Sequence, residues 1–187
     1  MNKSDIMKSI LAGFMIGMGG YSYANQNNQY VGALLFSIGL ITVILLQLPL
    51  YTGKIAFVQK NNWLYMIEML ICNFIGAGIS GIMFSYDTQD IVYNKLSHTP
   101  IEVLVSSIGC GVMIFLAVKL YNNSKNIFTI VLPVMVFILS GFEHCIADMY
   151  YFTSCNMTVN LETLSFILLV VVGNSIGAIV PYHIIKR

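Results

Sequence analysis

Apolar residues along the chain fall into long blocks separated by short polar stretches. The first block covers about Ser9 to Ala24 and the second about Tyr30 to Leu48. The third runs from Trp63 to Tyr86 and the fourth from Ile101 to Val118. A fifth begins near Ile127, and the last occupies about Leu164 to Ile185. One helix needs roughly 20 apolar residues to cross a bilayer. The pattern therefore predicts six transmembrane helices in an all-α integral membrane protein. Connections are short, so residues 1–187 are expected to form a single domain without a soluble appendage. Lys3 and Lys8 ahead of the first block also match the outline of a signal peptide ending near Ser22-Tyr23-Ala24. Gly13, Gly17, Gly19 and Gly20 suit close helix packing instead, and the block is expected to remain as the first span.

Two of the blocks stop behaving as helices. The second meets Pro49 and continues as Leu50-Tyr51-Thr52-Gly53-Lys54; the fifth reaches Ser140-Gly141-Phe142 and then Glu143-His144-Cys145-Ile146-Ala147-Asp148. Proline removes an N–H and clashes with the preceding turn. Unpaired backbone groups are costly in hydrocarbon, so interruptions persist beside a cavity or inside protein. Each interruption also presents a half-helix N-terminus with free N–H groups and partial positive charge, a setting that favours an anion. Thr52 offers a hydroxyl there, and His144 a donor able to become cationic. Ionisable groups inside a membrane are expensive and usually functional, which singles out His144. Glu143 is expected to cap a half-helix or pair with a base, Lys54 being one candidate.

The interruptions fall in the second span of each half, which suggests a duplication. Asn73-Phe74-Ile75-Gly76-Ala77 in the third span matches Asn174-Ser175-Ile176-Gly177-Ala178 in the sixth. Gly17-Met18-Gly19 in the first pairs with Gly109-Cys110-Gly111 in the fourth. Halves of three spans each, about 1–86 and about 100–187, must sit upside down relative to one another, an arrangement common among transporters. Packing glycines recurring without duplication is the alternative.

Composition and charge agree with lipid as the solvent. Hydrophobic residues make up 57% of the chain and charged ones 9%, against about a quarter charged in soluble domains. No Asp, Glu, Lys or Arg occurs between Lys8 and Lys54, and the net charge of +1 implies no nucleic-acid partner. Lys3, Lys8, Lys60, Lys119, Lys125, Lys186 and Arg187 all fall on one side of a six-span arrangement, which places both termini in the cytoplasm. Asp87, Asp90, Lys95, Asp148 and Glu162 fall on the other side. Cys72, Cys110, Cys145 and Cys155 read as small apolar side chains, with no metal site, cofactor or disulfide implied.

Ile130-Val131-Leu132-Pro133-Val134-Met135-Val136-Phe137, then Ser140-Gly141-Phe142-Glu143-His144 and Ala147-Asp148-Met149, resemble the fifth-span signature of the formate/nitrite transporter family. That signature usually has Asn in place of Asp148. Leu50-Tyr51-Thr52-Gly53 resembles the loop breaking that family's second span, and Lys95-Leu96-Ser97-His98-Thr99 the entry to its fourth. The resemblance implies a pentamer of aquaporin-like protomers, each with its own pore, in a prokaryotic inner membrane. It implies that His144, Thr52 and Asn174 lie at the central pore and that Lys95 draws anions into the outer vestibule. Phe36, Leu40 and Phe137 would build the cytoplasmic constriction, and Leu50 and Tyr51 the periplasmic one. Several departures stand out. The chain is short beside typical members, Pro49 replaces a common acidic residue, and Gly111 stands where a pore-facing Asn is usual. Gating attributed to the family's long N-terminal helix is therefore not assumed here.

The expected activity is passage of a small monovalent anion of a weak acid, formate first, with nitrite or hydrosulfide as alternatives. If His144 supplies a proton, the neutral acid crosses; otherwise the anion is conducted. A neutral-solute pore lacks support because asparagine-proline-alanine boxes are absent. An intramembrane enzyme lacks support too, since His98, His144 and His183 lie on separate segments and no H-E-x-x-H or G-x-S-x-G motif occurs.

Overall fold

The computed structural model describes residues 1–59, 61–156 and 160–186. Lys60 and Arg187, used above for orientation, lie outside them. Helices α1 (Lys3–Ala24), α2 (Gln29–Leu45) and α3 (Tyr51–Lys54) are followed by a 3₁₀ turn, Ile55–Phe57, and α4 (Trp63–Met83). The rest comprises α5 (Gln89–Ser97), α6 (Pro100–Ser124), α7 (Phe128–Leu139), α8 (Cys145–Ser154) and α9 (Leu161–Ile185). All regular structure among the described residues is helical. Helices α4, α6 and α9 are each long and apolar enough to cross a membrane alone. The shorter apolar helices α2 and α7 are each continued by a half-helix, α3 and α8 respectively. With α1 these make six passes, as the apolar blocks predict, with the second and fifth broken.

Local chemistry sets the ends. Thr99 caps α6 by accepting from the Glu102 amide and in return donates its own N–H to the Glu102 carboxylate, with Pro100 in the first turn. Asn160 caps α9 and pairs with Thr163 in the same way. The first span starts earlier than its apolar block because the Asn2 side chain accepts from the Asp5 amide. Pro133 sits inside α7 without ending it. Helix α5 was not anticipated; it is short, polar and lies in the loop between α4 and α6.

The two halves repeat each other in contact detail. Helix α1 crosses α4 with Gly13 against the Asn73 carbonyl and Gly76 against the Ile10 carbonyl. Helix α6 crosses α9 with Gly111 against the Asn174 carbonyl and Gly177 against the Ile108 carbonyl. A methyl at any of these four positions would overlap a backbone atom, so glycine permits the approach. Gly111 thus packs at a helix crossing and faces no pore. The equivalence also corrects the register expected from sequence: Gly13, not Gly19, is the partner of Gly111. The Asn73 and Asn174 blocks match as expected.

The halves interlock. Half-helix α3 of the first half packs against α6 and α9 of the second, while α8 packs against α1 and α4 of the first. Helices α2 and α7 pack on each other. The breaks therefore meet in the middle of the molecule.

Candidate functional site

Each break is made by the same turn. In the first, the amides of Leu46, Gln47 and Leu48 donate to the carbonyls of Thr42, Ile44 and Val43. In the second, those of Ser140, Gly141 and Phe142 donate to Val136, Ile138 and Phe137. This is a Schellman cap, whose central residue is left-handed: Gln47 has φ 53° and Gly141 φ 66°. Helix α2 therefore ends before Pro49, which was expected to break it. Proline only prevents the helix from resuming.

After each turn, a buried asparagine grips the chain. The Asn73 Oδ1 accepts from the Tyr51 amide at 2.8 Å, and its Nδ2 donates to the carbonyls of Ser9 (2.7 Å) and Pro49 (3.0 Å). The Asn174 Oδ1 accepts from the Cys145 amide at 3.0 Å, and its Nδ2 donates to the carbonyls of Ser107 (2.9 Å) and Glu143 (2.8 Å). Both asparagines are fully buried. Asn174, expected at the central pore, thus holds backbone with its carbonyl oxygen and both amide protons. Asn73, in the repeat block but not anticipated at the site, does the same work. The first amide of each half-helix is occupied by its asparagine, so these amides are not free for an anion.

The grips bring Leu50 and His144 to equivalent N-cap positions. The His144 Nδ1 accepts from the Ala147 amide at 3.2 Å, which leaves the proton of the neutral ring on Nε2. That nitrogen lies 3.1 Å from Thr52 Oγ1 and donates to it, freeing the Thr52 hydroxyl proton to donate elsewhere. Both side chains are buried. The sequence-expected pairing of Thr52 with His144 is therefore present. Phe137 stacks on the His144 ring with centroids 5.9 Å apart, and Phe36 meets Phe137 edge-on at 5.5 Å.

A cavity lies on each side of this pair. One, of about 200 Å³, is lined by Lys95, Phe137, Glu143, His144 and Asp148 on the side of the α4–α6 connection. The other, of about 350 Å³, is lined by Leu40, Leu50, Gln47, Lys54 and Lys125 on the side of the termini. The constrictions implied by the resemblance divide differently here. Phe137, with Phe36 against it, borders the Lys95 cavity, whereas Leu40 and Leu50 border the Lys54 cavity. The physical reason is the turn at Gln47, which folds Leu50 back toward Leu40. Tyr51 turns away from both, its hydroxyl 2.9 Å from Ser175 Oγ on α9.

Lys95 projects from α5 into the first cavity, where its ammonium pairs with Glu143 Oε2 and lies 3.0 Å from Asp148 Oδ1. It also sits 5.4 Å above the Tyr151 ring. Burial opposes its charge, but the carboxylates of Asp148 and Glu143 outweigh burial and hold the ammonium protonated well above the ordinary lysine range. Glu143 is thus paired with Lys95, and Lys54, expected as its partner, is exposed at the opposite cavity.

The family model for formate/nitrite transporters matches residues 3–186. The chain belongs to the formate/nitrite transporter family. It is 28% identical over 165 residues to the formate channel FocA of Haemophilus influenzae, covering 73% of this chain and 57% of that one. It is 28% identical over 193 residues to the formate-nitrite transporter of Plasmodium malariae, covering 78% and 62% respectively. The match thus spans about three fifths of these relatives' length. Among solved structures, a formate/nitrite transporter family ion channel superposes with TM-score 0.87 at 17% identity, over 98% of this chain and 88% of the other. A pentameric formate channel with formate bound superposes with TM-score 0.74 at 21% identity, over 98% and 93%. Those likenesses show that this member has the fold of the transporter family.

Proposed function

We propose that the chain passes small monovalent anions of weak acids across a prokaryotic cell membrane, formate foremost, with nitrite and hydrosulfide as alternatives within the family. One observation carries the reading: a buried, hydrogen-bonded Thr52–His144 pair separates two cavities on opposite faces of the bundle. The relatives named as formate channels support formate in particular. Those relatives are named as channels and transporters, which supports transport over catalysis.

Between the cavities the walls are Phe36, Phe137, Leu40 and Leu50, all buried and apolar. Moving a bare carboxylate-sized ion into such a setting costs on the order of 20 kcal/mol in the idealised limit. A weak acid avoids most of that cost by crossing as the neutral molecule. The neutral acid offers one O–H and one carbonyl oxygen, and the Thr52 hydroxyl, its proton freed by His144, can donate to that carbonyl. Proton-coupled passage is therefore the form this middle favours. The lysines on the terminal side support a cytoplasmic position for that face. The named pentameric relative supports five such protomers around an axis.

Flux of formate, nitrite and hydrosulfide into proteoliposomes tests the reading. Formate uptake is expected in wild type. His144→Ala is expected to slow it roughly 5–30-fold, the effect of 1–2 kcal/mol. Wild-type vesicles no more permeable than empty ones would end the proposal.

A further inference from the structure

The outer cavity holds one more acid than its lysine can balance. Lys95 carries one positive charge and faces two carboxylates, Glu143 and Asp148. The lysine side chain is 14% exposed, those of Glu143 and Asp148 2% and 1%. Asp148 Oδ2 is buried without a hydrogen-bond partner among the described residues, and Asp148 lines the cavity. With both carboxylates ionised the trio would carry a net negative charge in a low-dielectric pocket, and an arriving anion would be repelled. One proton held between two close carboxylates removes that excess and makes the trio neutral.

We propose that Glu143 and Asp148 share one exchangeable proton, and that this pair, not His144, protonates the anion entering the outer cavity. The inference rests on the anion-passage reading given above. In the transfer, the O–H bond of the carboxylic acid breaks and a new O–H bond forms on the formate oxygen. The carboxylate left behind remains beside the Lys95 ammonium, and formic acid moves on toward Thr52. A proton from outside water restores the pair. Until then the trio is negative and excludes the next anion, which fixes one proton per anion.

His144 is poorly arranged for that task. Its Nδ1 is occupied by the Ala147 amide and its Nε2–H by Thr52. Giving up the Nε2 proton would leave an imidazolate, and loading a proton on Nδ1 would break the α8 cap. Other titratable groups around the trio are the phenols of Tyr151 on α8 and Tyr23 on α1, and His98 at the end of α5. The thiols of Cys110 on α6 and Cys145 on α8 lie beside it. His98 is the one imidazole among these, so His98→Gln is the control.

The test uses the full chain in liposomes loaded with a pH-indicating dye, driven by an inward formate gradient between about pH 5 and pH 8. Wild type is expected to take up one proton per formate and to speed up as the outside is acidified. Asp148→Asn, nearly isosteric, leaves a single Lys95–Glu143 pair without a shareable proton. It is expected to lose proton-linked uptake by about 100-fold, the low end of what a placed acid contributes, and to flatten the pH profile. His98→Gln should match wild type. Independently, the infrared carbonyl band of a buried carboxylic acid should be present in wild type and absent in Asp148→Asn. Glu143→Gln removes the second carboxylate and should abolish the band too, whichever variant folds better. An Asp148→Asn protein with wild-type proton stoichiometry and pH profile overturns the proposal, as does a wild type without the band. If wild type carries no formate, the passage reading fails, and the infrared band still decides whether the pair holds a proton.

Discussion

Asn73 and Asn174 each bind an N–H and a carbonyl at a break, where no helix satisfies them, and also a carbonyl of a neighbouring helix, Ser9 or Ser107; they do so at equivalent points of the two halves. An alanine at either position strands one buried N–H and one carbonyl at the break and cuts the tie to the neighbouring helix. Each stranded group costs about 1–3 kcal/mol. Asn73→Ala and Asn174→Ala are therefore expected to lower thermal stability in detergent by similar, large amounts. A midpoint unchanged in either variant would show that the grip is dispensable. The sequence displayed both residues inside matching blocks, but their partners lie 22 to 67 positions away. Nothing local says whether a buried amide faces a solute or a backbone, so Asn174 was legible as a special residue and not as a clamp. Thr52 and His144 fared better because each sits at a visible interruption. Lys95 was legible as the lone base of its face; its two acidic partners were not, since only the folded α5 brings it to them.

At the level of the element, the breaks depend on one left-handed residue each. Gly141 adopts that conformation freely, and a methyl added there would meet no atom within 4 Å. Any cost of Gly141→Ala is then conformational, about 1–2 kcal/mol. Gln47 already bears the equivalent strain at φ 53°. The paired expectation is that Gly141→Ala lowers the unfolding midpoint while Gln47→Gly raises it. Equal midpoints for all three proteins would rule out the left-handed caps as the source. The apolar blocks announced that spans two and five end early, and Pro49 drew attention to the right place. The breaking residue itself was hidden because glutamine has no preference for that geometry, and Pro133 shows that proline alone does not end these helices.

Across the whole molecule, the outer faces of the long helices are stripes of exposed aliphatic side chains. Ile67, Ile71, Ile75 and Ile79 run along α4, and Leu164, Leu168, Val172, Ile176 and Val180 along α9. These stripes repeat at helical spacing, carry no charge and suit lipid or a neighbouring copy. Such uniform apolarity made six passes readable from the chain and concealed which passes touch each other. Charge placement makes the orientation testable. Asn94 stands exposed beside the Lys95 cavity and Asn122 beside the Lys54 cavity. In a background without native cysteines, a membrane-impermeant thiol reagent on intact cells is expected to label Asn94→Cys and to spare Asn122→Cys. The reverse pattern would place the termini outside.

The interlocking of the halves also bears on the order of events during synthesis. Half-helix α3 rests on α9, and Tyr51 reaches Ser175 across 124 positions. At about 5–20 residues per second, the ribosome needs roughly 6–25 s to make that stretch. For that interval the first interruption has no seat, and Thr52 has no histidine until the fifth pass is made. The Thr52–His144 passage is thus completed late, and its first half waits on the second for both its seat and its histidine.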